Sequence, residues 1–145
     1  VAKSARCSVY KDFAHAPSKV KATTHALKSL HPGRSLIACL ELHTYSSLNH
    51  HFLPQYHHTL QNADMAMVFY DPQTLAIKQL PPLKPQEIQH YFNHPNLLVF
   101  TKPKDMENQL SKTNFEQTDL LLMSSGNFGG INIANIAKFA TGNTL

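Results

Sequence analysis

At 145 residues the chain has the length of one domain, and a compact domain of that size buries roughly 68 to 70% of its unfolded surface. Hydrophobic residues make up 42% of the chain and charged residues 15%, which excludes a disordered or fibrous protein. The formal charge of +4 comes from 13 scattered basic residues, densest at Lys19/Lys21 and Lys102/Lys104, so a nucleic-acid partner is not expected and an anionic small substrate explains the bias equally well.

The segment Cys7 to Lys11 predicts a strand, and Pro17 then takes the first-turn position that proline tolerates, opening a helix through about Ser29 with Val20, Thr23, Leu27 and Leu30 on its inner face. Gly33 stops that helix. Ser35 to Leu40 is a continuous apolar run of the kind found in parallel strands covered on both sides. Leu48, Phe52, Tyr56 and Leu60 recur every four residues and predict a helix over Leu48 to Asn62, with Pro54 inside it.

Met65 to Tyr70 predicts a third strand, after which Asp71-Pro72 and Pro81-Pro82 punctuate an excursion with a short extended segment near Ala76 to Gln79. A helix near Pro85 to Phe92, a strand Leu97 to Thr101, a helix Pro103 to Lys112, a strand Asp119 to Met123 and a helix Ile131 to Phe139 complete the chain. This alternation dictates an α/β fold: one Rossmann-like three-layer domain over residues 1–145, with a mostly parallel sheet of about six strands and right-handed crossovers.

Cys7 and Cys39 both lie in apolar strand segments, the pattern of buried free thiols, which fits a reducing cytoplasm. No apolar run approaches the roughly 18 residues of a membrane span, so no membrane partner is expected. The N-terminal Val1-Ala2-Lys3-Ser4 lacks both an initiator Met and a signal-peptide core, so the chain is expected to be a piece of something longer.

Three strand-to-helix junctions carry candidate chemistry, because ligands of open α/β sheets bind beyond the carboxyl ends of the strands. Asp12 and His15 leave the first strand just before a helix N-terminus, where free N–H groups favour anions and a carboxylate can accept two ribose hydroxyls. The alternative is a turn cap and a solvated histidine. Glu41-Leu42-His43-Thr44-Tyr45-Ser46-Ser47 brings His43 and Tyr45 to the same rim. Ser124 to Gly130 is a glycine-rich third loop, either a ligand cradle or a tight turn. His50, His51, His57 and His58 do not read as a metal site, since on a helix the pairs stand about 10.5 Å apart. There is no Gly-x-x-x-x-Gly-Lys-Ser/Thr loop, no Gly-x-Ser-x-Gly elbow and no cysteine pair with zinc spacing.

These junctions carry a resemblance. Asp12-Phe13-Ala14-His15-Ala16-Pro17-Ser18-Lys19-Val20 resembles the Asp-(Tyr/Phe)-(Ala/Gly)-His-His-Pro-Thr-x-(Val/Ile) signature that opens the C-terminal domain of Mur ligases, the ATP-dependent amide-forming enzymes of peptidoglycan synthesis. Pro32-Gly33-Arg34-Ser35-Leu36-Ile37-Ala38 is similar to the Pro-Gly-Arg-x-(Leu/Ile)-Ile-Ala that follows in that family. Leu122 to Ile131 resembles the Met-Ser-Asn-Gly-Gly-Phe-Gly-Gly-Ile of the branch that joins UDP-N-acetylmuramate to L-Ala-γ-D-Glu-meso-diaminopimelate in peptidoglycan recycling.

The resemblance implies three domains in the whole protein: one for the UDP-sugar, a central ATP-binding domain with the phosphate loop, and a C-terminal one, matching residues 1–145, that receives the amine. ATP, with Mg2+, would activate the lactyl carboxylate of UDP-N-acetylmuramate as an acyl phosphate, and the peptide amine would attack it. By the same resemblance Asp12 binds the ribose of ATP, Phe13 and the candidate catalytic residue His15 face the amine, and His43 and Tyr45 match the His and Tyr of a substrate-contacting His-Arg-Tyr-(Thr/Ser)-Arg motif of the alanine-adding branch. Asn127 and Phe128 are further candidate substrate contacts, and no residue is assigned to a metal.

Ala16 stands where the signature has its second His. Thr44 and Ser47 stand in place of the two arginines, and losing two cationic forks weighs against single-amino-acid specificity. The same loop departs from the usual recycling-branch pattern too, so the tripeptide assignment rests on the glycine-rich segment. The runners-up are the same domain of UDP-N-acetylmuramate–L-alanine ligase and a non-catalytic Rossmann-like module that binds a nucleotide or a protein.

Overall fold

The computed structural model describes residues 2–142. In chain order the strands are β1 (Ala2–Lys3), β2 (Cys7–Asp12), β3 (Ser35–Glu41), β4 (Met65–Phe69), β5 (Leu97–Phe100) and β6 (Thr118–Met123). The helices are α1 (Pro17–Leu30), α2 (Pro72–Ile77), α3 (Pro85–Phe92), α4 (Pro103–Ser111) and α5 (Ile133–Thr141), with short 3-10 turns at Leu53–Tyr56 and Phe128–Gly130. The first four helices each begin on a proline, whose missing N–H costs nothing in a first turn.

One sheet runs in the order β1-β2-β6-β3-β4-β5, with β1 antiparallel to β2 and every other pair parallel. Strand residues alternate between two buried faces, as an apolar run covered on both sides requires. Leu36, Ala38 and Leu40 of β3 and Ala66 and Val68 of β4 join a core with Val20 and Leu27 of α1 and Ile88 and Phe92 of α3. Ile37, Cys39, Met67 and Phe69 face the other way, against Met106 and Leu110 of α4 and Ile136 and Ala140 of α5. Cys7 and Cys39 are fully buried free thiols in β2 and β3.

The connections that leave β2 and β3 pass over the α1 face, whereas the chain leaving β6, which lies between them, turns to the α4/α5 face. Neighbouring strands whose connections part to opposite faces leave a crevice at their carboxyl ends. Among the described residues no helix is long and apolar enough to cross a membrane.

The amino edge is tied by a buried ion group that gives the Pro32-Gly33-Arg34 segment its structural part. Asp119, the second residue of β6, is 2% exposed and lies 2.7 Å from His31 Nδ1 and 3.4 Å from the Arg34 guanidinium. Arg34 also donates to the carbonyls of Ala5 and Arg6, pinning the start of β2.

Three sequence-based expectations are corrected. Residues 48–62 form successive turns instead of a helix: Pro54 has no N–H to give, His58 adopts φ 62°, and the bonds run from Gln55 to Phe52, His57 to Pro54 and Thr59 to Tyr56. Leu48, Tyr56 and Leu60 are buried nonetheless, together with Leu53. Residues 76–79 are not extended, because Asp71 accepts from the Gln73 N–H and Pro72 follows it, so the pair caps α2. On α1 the buried positions are Val20, Thr24 and Leu27, Thr23 is only half-buried, and Leu30 is 67% exposed. The sixth strand is the antiparallel β1.

Candidate functional site at the carboxyl edge of the sheet

Three loops leave the carboxyl ends of adjacent strands β2, β6 and β3, and hydrogen bonds fasten each to the next. Asp12 ends β2 and its carbonyl accepts the Ser124 N–H at 3.0 Å, joining the first loop to the loop after β6. Glu41 ends β3 and is 3% exposed. A carboxylate at that depth is costly unless its oxygens are satisfied. Its Oε1 accepts the Ser124 hydroxyl at 2.5 Å and the Phe128 N–H at 2.9 Å, so β3 holds the glycine-rich loop. The Tyr56 hydroxyl, buried in the 3-10 turn, donates to the His15 carbonyl at 2.5 Å and binds the first loop to the segment that follows β3. Burial raises the Tyr56 phenol far above its ordinary value of 10.0, so it remains a donor at any physiological pH.

Local chemistry then sets the side chains. Asp12 Oδ1 accepts the Ala14 N–H at 2.7 Å, an Asx turn that swings the chain off the strand. The residue is exposed, leaving its second oxygen available to a ligand. His15 Nδ1 lies 2.8 Å from the Phe13 carbonyl; since a carbonyl only accepts, Nδ1 carries the proton and Nε2 is the open nitrogen. Phe13 is 77% exposed beside them.

Gly126 is required where it stands. A Cβ there would come within 2.9 Å of Glu41 Oε1 and 3.2 Å of the His43 ring, so the glycine lets the loop lie directly on both. His43 is exposed, with Nδ1 3.9 Å from Glu41 Oε2. Asn127 is exposed at the tip of the same loop, whereas Phe128 is 1% exposed, its ring in the core and its backbone at φ 54°.

The structure thus brings the loops that carry Asp12, Phe13, His15, His43 and Asn127 to one edge of the sheet, while Asp12 itself lines a separate recess of about 530 Å³ against α1 with Lys19 and Leu27. A cavity of about 220 Å³ opens there, lined by His15, Ala16, Thr44, Ser46, Phe52 and Tyr56. Tyr45, 57% exposed, lines a different recess, of about 580 Å³, with Asn49, His50 and His51. Glu41, Ser124 and Tyr56, which fasten the three loops, were not singled out in the sequence. A lone acidic residue closing an apolar strand is the signal that points to Glu41.

No family model matches the chain. Over 120 residues it is 27% identical to the UDP-N-acetylmuramate–L-alanine ligase of Fusobacterium nucleatum, a match that takes in 83% of this chain and 25% of that protein. The chain therefore spans about a quarter of the length of that curated relative. A solved domain described as coming from a UDP-N-acetylmuramate:L-alanyl-γ-D-glutamyl-meso-diaminopimelate ligase of Haemophilus ducreyi superposes with a TM-score of 0.65 at 22% identity, covering 97% of this chain and 98% of that one. The murein peptide ligase of Psychrobacter arcticus gives a TM-score of 0.69 at 16% identity, covering all of this chain and 29% of that structure. The chain is thus similar in sequence to one Mur ligase and shares its α/β fold with domains of two others.

Proposed function

We propose that this chain is the amine-receiving, C-terminal domain of a cytoplasmic, ATP-dependent amide-forming ligase that joins UDP-N-acetylmuramate to the tripeptide L-Ala-γ-D-Glu-meso-diaminopimelate in peptidoglycan recycling. The observation that carries the reading is the fastening of the Asp12, Glu41 and Ser124 loops to one another at one edge of the sheet, with His15, His43 and Asn127 on these loops. A bimolecular amide synthesis needs the amine held and aimed, and pre-organised loops supply that orientation.

ATP, bound with Mg2+ chiefly by a central domain outside this chain, supplies the activation of the sugar's carboxylate. Asp12 fits a part in its binding, because its exposed second oxygen can accept a ribose hydroxyl while the first stays in the turn. In the neutral ring whose Nδ1–H donates to the Phe13 carbonyl, His15 Nε2 is the nitrogen that can take a proton from the ammonium form of the incoming amine. Phe13 and His43 flank the approach.

Incubating the intact protein with UDP-N-acetylmuramate, ATP and Mg2+ plus either amine tests the reading. Faster amide formation with the tripeptide than with L-alanine is expected; preferred turnover of free alanine would move the assignment to the alanine ligase, and no ATP-dependent product with either would leave the non-catalytic module. The isolated chain is expected to form no product, since the groups around the reacting centre are divided between domains.

A further inference from the structure

We infer that the recess beside Tyr45 is a second subsite, which takes the distal, carboxylate-bearing end of a peptide amine while the smaller cavity beside His15 takes its N-terminal residue. The inference rests on the ligase reading and deepens it. Two cavities draw part of their linings from one segment, residues 44–52. Thr44, Ser46 and Phe52 line the cavity of about 220 Å³ that holds His15, and Tyr45, Asn49, His50 and His51 line the recess of about 580 Å³. The first is smaller than the roughly 300 Å³ lower end of ordinary ligand pockets and suits one small residue. A single amino acid needs nothing more. A γ-linked tripeptide extends beyond it, and the recess beside Tyr45 provides for that extension.

The recess is built and held. Its far wall is the segment Gln79 to Pro82, and three contacts hold this wall and the residues that follow it to the end of β4 and to His50. The buried Tyr70 hydroxyl at the end of β4 donates to the Leu83 carbonyl at 2.5 Å. His50 reaches across, with Nε2 3.2 Å from the Pro82 carbonyl and Nδ1 3.2 Å from the Glu87 carboxylate. His50 is thereby committed to the wall, and the groups left for a ligand are the exposed His51 imidazole, the Tyr45 phenol and the Asn49 and Gln79 side chains. All can donate hydrogen bonds to carboxylates. Lys78, half-buried, and Lys84, exposed, flank the wall in sequence and add positive charge to its ends. Polar donors and cations at a recess with Leu80 and the prolines in its lining suit a polyanionic peptide better than an apolar one.

The test compares amines on the intact protein carrying His51→Ala with Gln79→Ala, two changes outside the packed core, after a thermal melt has matched the variant to the parent. The expected result is at least a tenfold fall in the ratio of kcat/KM for L-Ala-γ-D-Glu-meso-diaminopimelate to kcat/KM for L-alanine, carried by KM for the tripeptide. An unchanged ratio overturns the subsite. Absence of ATP-dependent product with either amine in the parent protein overturns the ligase reading instead, and a parent that prefers alanine overturns both the peptide assignment and the subsite. His51→Asn with Gln79→Asn, which restores donors, is expected to recover part of the lost ratio.

Discussion

Glu41 and Ser124 face each other across the ends of β3 and β6, carboxylate oxygen to hydroxyl at 2.5 Å, and this buried pair sets where the glycine-rich loop lies. The Phe128 N–H shares the same oxygen. Glu41→Ala leaves both donors buried without an acceptor and is expected to lower stability by about 3 kcal/mol, whereas Glu41→Gln keeps an acceptor oxygen and costs about 1 kcal/mol. Urea unfolding of the two variants decides the matter: equal midpoints would mean that the carboxylate does not hold the loop.

Asp64 gives the fold an acid-sensitive tie between α1 and β3. Burial pulls its carboxyl upward, but the Leu36 N–H at 2.7 Å and the Lys28 ammonium at 2.9 Å outweigh it and hold the group below its usual 3.8. A lowered folded value means that the unfolded chain takes up the proton first, so this contribution is complete above about pH 3.8 and is lost as pH falls through the folded value. The group is half exposed, so the whole tie is worth only about 1 kcal/mol. Asp64→Asn is expected to unfold at lower urea than the parent at pH 7, by a gap that narrows as pH falls below 3.8; a constant gap across that range would contradict the assignment.

The two thiols act in the opposite direction. Burial is the main cause for both, raising Cys7 to about 11 and Cys39 to about 12 from the ordinary 9.0. Raised folded values place their contribution fully below pH 9, and it is lost as pH climbs from 9 toward 12, because the unfolded chain ionises first. Stability measured by urea midpoint is expected to decline over that range. The native protein at pH 8 is expected to leave Ellman's reagent nearly unreacted until denaturant is added. Prompt reaction of both thiols in the native state would show that the sheet does not cover them.

Much of this was legible in the sequence because strands and helices here carry consistent local signals. A continuous apolar run such as Ser35 to Leu40 has few other uses, and proline at the first turn announces α1, α3 and α4, whereas Pro72, which opens α2, reads in the sequence as part of a turn. Residues 48–62 misled because a helix and a string of turns can bury the same Leu48, Tyr56 and Leu60; only Pro54 and the left-handed His58 separate them, and φ at a histidine is invisible in sequence. At the site, the strand ends foretold which loops lie at the carboxyl edge of the sheet. Nothing in the sequence foretold that β6 would insert between β2 and β3 and bring residues 12, 41 and 124 together, since that depends on strand order.

Asp12 makes one internal bond through Oδ1, so its proposed part in nucleotide binding can be separated from its part in the turn. In the intact enzyme Asp12→Ala is expected to raise KM for ATP about tenfold, the loss of one charge-assisted hydrogen bond. The thermal midpoint should move by no more than about 2 to 4 °C for a lost exposed turn bond worth about 1 kcal/mol. An unaltered KM would remove Asp12 from the nucleotide site.

The central claim is that the loops ending β2, β3 and β6 form one receiving mouth for a peptide amine. Backbone and side-chain NMR shifts of this chain during titration with L-Ala-γ-D-Glu-meso-diaminopimelate test it most directly. The account predicts shifts concentrated at His15, Thr44, Ser46, Tyr45 and Asn127 and absent from Asp119 and Arg34 at the opposite edge. Shifts centred on that opposite edge, or none at millimolar peptide, would contradict it.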